Sequence, residues 1–191
     1  MDKWIDFFEQ YFRNRADATA WVARCEALAA PSNHAKIMMH QCQRLVSIVD
    51  DISIIRRTVE SLQLMFLLIC AENVSKLHDK FTDEGRSREY VQRFFERFVV
   101  DDDRRTMEAA FTDHTDYLMR FLSFSRAVNV LYDVRCDVVH EGNYWGFHFH
   151  DGQTPMLNIA PDVIAKISLS QLRHIVVRGC INAVTDRLNA P

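Results

Sequence analysis

The stretch Leu62-Gln-Leu-Met-Phe-Leu-Leu-Ile-Cys-Ala71 decides the fold. It is apolar nearly all round, and a helix with no polar side has to be enclosed by other elements. Its longest unbroken apolar run, Leu64 to Ala71, is far short of the ~20 residues a membrane span needs. The segment therefore predicts the central helix of a bundle. Upstream, Met38, Cys42, Leu45, Val49 and Ile52 recur at helical spacing. Val59, Leu62, Phe66, Ile69 and Leu77 continue in phase, which predicts two helices with a joint near Asp50-Asp51, where a carboxylate can cap the second. Glu72 closes the apolar run and has two readings, a carboxylate on the solvent side or a partner for a buried arginine.

Working outward, Trp4, Ile5, Phe8, Tyr11 and Phe12 mark a first helix, with Asp2 as its cap. Trp21, Cys25 and Leu28 mark a second, which ends at the Pro31 segment. About thirty residues cannot build a core alone, so residues 1–33 are expected to pack as a hairpin on a core of residues 34–191, one domain in all. Tyr90, Phe94, Phe95, Phe98 and Val99 mark a further helix. Asp101-Asp-Asp103 then precedes Arg104-Arg105, the charge order of a capped helix start rather than a metal site. Thr112-Asp-His-Thr115 reads as a turn. The next helix carries Leu118, Phe121, Phe124, Val128, Leu131, Val134 and Val138, and Ser123 or Ser125 could break it. Residues 144–159 look like a β-hairpin turning at Asp151-Gly152. Ser168 or Ser170 opens the last helix, with Leu172, Ile175, Val176, Cys180 and Val184 inward. The fold class expected is all-α, an antiparallel bundle with a small β-hairpin before the last helix.

Composition agrees. The 191 residues are 48% hydrophobic and 26% charged, with only 5 Gly and 4 Pro to interrupt long elements. A net charge of −3 gives no bulk attraction for nucleic acid or anionic lipid, so any such contact must be local. Five dispersed cysteines without a Cys-x-x-Cys pair read as reduced, mostly buried thiols of a cytoplasmic protein. The N-terminal residues lack a basic region followed by an apolar run, so no secretory signal is expected.

Chemistry concentrates in Leu131-Tyr-Asp-Val-Arg-Cys-Asp-Val-Val-His-Glu-Gly142. Arg135 cannot lose its charge, and His140 is of the type that titrates near neutrality. Gly142 follows at once, the residue type that most often ends a helix. Five residues apart is about 140° around a helix, so Arg135 and His140 do not share a face. Two chains, an unwound last turn or a long reach would be needed to bring them together. A structural alternative stands beside this, because Asp133, Asp137 and Glu141 interleave with the pair, and Asp137 with His140 forms an i,i+3 contact.

The run Arg135-Cys-Asp-Val-Val-His140, late on a helix of an all-α chain, resembles the HEPN superfamily and its Apea-like bacterial members. That resemblance implies a dimeric, metal-independent endoribonuclease of bacterial defence or toxin–antitoxin systems, with RNA as substrate and a cognate antitoxin as possible partner. It implies that Arg135 stabilises the charge developing on phosphorus and that His140 moves protons at the 2′-hydroxyl or leaving oxygen. The alternative under the same resemblance is a non-catalytic relative that binds nucleotide, nucleic acid or protein. Cys136 stands where the family often carries a polar residue. Gly142 stands where one form of the motif carries tyrosine, and Tyr144 lies two residues on. Asp137, Tyr144, Arg126 and Arg173 are the candidate substrate contacts, with Arg178 a further rim cation. His148 and His150 alternate on the presumed strand, where aromatic neighbours suit a packed hairpin better than a metal site. No metal or cofactor is called for.

Overall fold

The computed structural model describes residues 1–27, 33–55, 59–79, 85–113, 120–143, 149 and 163–190. Eight α-helices make up most of these: α1 (Asp2–Phe8), α2 (Arg15–Ala27), α3 (His34–Ile55), α4 (Glu60–His78), α5 (Ser87–Phe98), α6 (Asp101–Ala110), α7 (Phe124–Glu141) and α8 (Leu169–Asn189). A 3-10 turn at Glu9–Tyr11 follows α1. The architecture is the expected all-α bundle with a small β element. No described helix is long and apolar enough to cross a membrane.

Helix α4 is enclosed as its sequence requires, packing against α3, α5, α7 and α8. Leu64, Leu67, Leu68, Cys70, Ala71 and Val74 have no solvent exposure. One cluster of buried side chains runs from Ile5, Phe8, Trp21 and Val22 through α4 to Val176 and Val184. The N-terminal pair is thus continuous with the main core, and the Trp21 indole donates to Thr185 Oγ1 at 3.0 Å.

Local signals set several ends. Asn33 Oδ1 accepts from the Lys36 backbone N–H at the start of α3. Ser123 caps α7 by accepting from the Arg126 N–H. Ser168 and Gln171 form a reciprocal capping box on α8. Gly142 terminates α7 in the left-handed region at φ 66°, where a side chain would be strained.

Three expectations are corrected. The N-cap position of α1 is Met1, which makes no side-chain capping bond, and Asp2 lies inside the first turn. Helix α3 continues through Asp50 and Asp51 to Ile55, and α4 begins at Glu60, so no joint falls at Asp50-Asp51. The Asp50 carboxylate accepts two hydrogen bonds from Arg173 of α8 instead of capping a helix. The segment read as a turn at Thr112 is a strand. β1 (Phe111–Asp113) pairs antiparallel with β2 (Arg120–Phe121) on one side and β3 (Val163–Ala165) on the other, in the order β2-β1-β3. β3 does lie just before the last helix. The hairpin expected over 144–159 lies outside the described residues except for Phe149, which is buried and donates its N–H to Glu60 Oε2 at 2.6 Å.

Candidate functional site

Helix α7 carries the candidate pair, and its helical rotation separates them. Arg135 turns inward toward α4, its side chain 15% exposed, whereas His140 in the last turn is exposed. Val139 beside it is also open to solvent.

The inward side is an ion cluster between α4, α5 and α7. Glu72 directly follows the apolar run of α4, where α5 and α7 cover it. Its Oε2 accepts from an Arg135 terminal nitrogen at 3.3 Å, and its Oε1 accepts from Lys76 Nζ at 2.5 Å and Ser87 Oγ at 2.6 Å. A carboxylate at 7% side-chain exposure is tolerable only because three donors and two cations surround it. The other Arg135 terminal nitrogen lies 3.5 Å from the Tyr132 hydroxyl, and the guanidinium sits 5.3 Å from that ring's centre. The Arg135 Nε is buried without a hydrogen-bond partner among the described residues. Arg88 covers the Tyr132 ring at 4.8 Å and pairs with Asp133 at 2.6 Å. Burial raises the Tyr132 hydroxyl's pKa against the opposing pull of Arg135, so the group stays protonated.

Among the described residues, Arg126, Arg173 and Arg178 do not join this cluster. Burial, then the neighbouring Glu141 and Asp133 carboxylates, raise the pKa of Asp137. Arg126 is exposed at the opposite end of α7. Arg173 belongs to a different network: it grips Asp50 with two nitrogens at 2.8 Å each, donates to the Tyr11 hydroxyl and lies over Phe7. It also lines a cleft with Gln10, Ser53 and Gln63. Arg178 pairs with Asp103 at 3.2 Å. Tyr144, His148 and His150 lie outside the described residues.

Glu72 was legible as a possible arginine partner, because a carboxylate ending an apolar run needs an explanation. Lys76 follows it at i+4, also readable. Ser87, fifteen residues away on another helix, gave no sequence signal. The same is true of a second convergence, in which Cys42 of α3, Cys70 of α4 and Cys180 of α8 meet in the core. All five cysteines are free.

No protein family, curated protein or solved structure matches this chain.

Proposed function

We propose that the chain is a HEPN-like, metal-independent endoribonuclease of the cytoplasm, acting as a homodimer in bacterial defence or as the toxin of a toxin–antitoxin pair. The observation that carries this reading is the end of α7. A guanidinium held by a buried carboxylate lies five residues before an exposed imidazole at a glycine-terminated helix end. Glu72 and Tyr132 fix where the Arg135 side chain lies, and positioning of that kind is what stabilisation of a developing phosphoryl charge requires. His140 is free to meet a second protomer or a substrate, and the exposed Val139 beside it suits an apolar contact with another chain. A site completed by two copies answers the rotation that separates the two side chains on one helix.

One observation favours a second reading. Glu72 already neutralises Arg135, which suits a non-catalytic HEPN-like module that binds nucleotide, nucleic acid or a protein partner.

Cleavage of RNA in EDTA, and growth toxicity on expression, compared for wild type and His140→Ala, separate the two. The nuclease reading expects cleavage by wild type in EDTA and a loss of about 10²–10⁴-fold in the variant, the usual span for an acid–base group. Equal cleavage by both removes His140 from the mechanism. Binding without cleavage by either selects the module.

A further inference from the structure

The core of the bundle holds a constellation unconnected with α7. Cys42, Cys70 and Cys180 come from three different helices, and their sulfurs all lie within 4.8 Å of one another, with Cys70 and Cys180 at 3.7 Å. All three are fully or almost fully buried. We infer that Cys42, Cys70 and Cys180 form a three-sulfur site for one soft, thiophilic cation of the monovalent copper class.

The geometry carries the inference. An ion at the centre of a triangle of sulfurs about 4 Å on a side lies about 2.3 Å from each, a normal metal–thiolate bond length. One sulfur separation is 3.7 Å and none exceeds 4.8 Å, so binding needs shifts of less than an ångström. The ligand number chooses among thiophilic ions. No histidine, aspartate or glutamate joins the three sulfurs among the described residues. Structural zinc is almost always four-coordinate, and iron–sulfur clusters take four cysteines. Three sulfurs alone suit monovalent copper, which soft thiolates select. A disulfide would need two of these sulfurs to close to about 2.05 Å and would leave the third without a role.

Binding involves no electron transfer. The ion enters and remains as Cu(I), and each S–H replaced by a Cu–S bond releases its proton to solvent. Sulfurs this buried are reached by the ion as α3, α4 and α8 close on one another during folding.

The test uses the full chain, refolded anaerobically with a non-thiol reductant and Cu(I) supplied from a chelator buffer. One copper per chain should survive gel filtration against competing chelator, with a rise in Tm over protein refolded without metal. X-ray absorption should show three sulfur ligands. Cys25→Ala/Cys136→Ala, which spares the trio, should keep one copper, whereas Cys70→Ala should lose it. If Cys70→Ala does not fold, the sulfur count in wild type still decides. Substoichiometric copper, nitrogen or oxygen in the first coordination sphere, displacement of copper by equimolar zinc, or unchanged binding in folded Cys70→Ala would each overturn the assignment.

Discussion

Replacing Glu72 by glutamine tests the ion cluster with almost no change in shape. The carboxylate at 7% side-chain exposure balances Arg135 at 15% and Lys76 at 23%. Glutamine keeps the volume and one acceptor oxygen but removes the charge and places an NH2 against donors. Two unit charges about 4 Å apart interact by about 4 kcal/mol at an effective dielectric of 20. Removing one partner of a buried pair typically costs about 3–5 kcal/mol. Lys76 and Arg135 each retain a path to water, which puts the expected loss at the low end, about 3 kcal/mol. For a chain of this length that corresponds to roughly 6–12 °C in Tm. Arg135→Met should cost less, because Glu72 keeps its bonds from Lys76 and Ser87. The double variant Glu72→Gln/Arg135→Met should then recover at least about 1 kcal/mol relative to the sum of the singles, since each single leaves a charge mismatched. Calorimetry with urea unfolding of all four proteins measures the cycle. A Glu72→Gln shift below about 2 °C, or a larger loss from Arg135→Met, would refute the view that this carboxylate anchors the cluster.

Three further predictions follow from other parts of the fold. A Cβ at Gly179 would stand 2.7 Å from Phe94 Cζ, and that ring is fully buried against Phe95 and Phe98. Gly179→Ala should therefore lower Tm, because overpacking of about 1–3 kcal/mol exceeds the helix-propensity gain of about 1 kcal/mol; a raised Tm would contradict the packing. Ser168→Ala removes the α8 capping box and should reduce stability by about 1 kcal/mol, seen as a lower urea midpoint at unchanged slope. Burial alone would raise Asp79 and Glu26, yet hydrogen bonds from Arg93 and His78, and from Lys36 and His40, hold both below the usual carboxylate range. A folded-state pKa below the unfolded value gives stability that is complete above about pH 5 and is lost as pH falls through the lowered values. Tm should drop on acidification from pH 5 to 3, and Asp79→Asn should flatten part of that drop; an identical pH profile in the variant would remove Asp79 from the effect.

The sequence by itself determined the features whose causes lie within a turn or two of chain. The apolar surface of Leu62–Ala71 required an enclosed helix, and α4 is that helix. Ser123, Gly142 and Ser168 set helix ends through bonds to backbone atoms three to five residues away, so composition and spacing were enough to find them. Only the tertiary structure decided which distant groups meet. Asp50 was a good local cap, but Arg173, 123 residues on, offers two charge-assisted bonds, and α3 runs past it. Phe111–Asp113 became a strand because residues 120–121 and 163–165 supply its hydrogen bonds, and neither partner is visible from the segment's own turn-like residues. Arg135 and Glu72, 63 residues apart, and the sulfurs of Cys70 and Cys180, 110 apart, meet through the same cause. Helical periodicity fixes the face on which a side chain stands, but the packing of one helix on another fixes what that face touches.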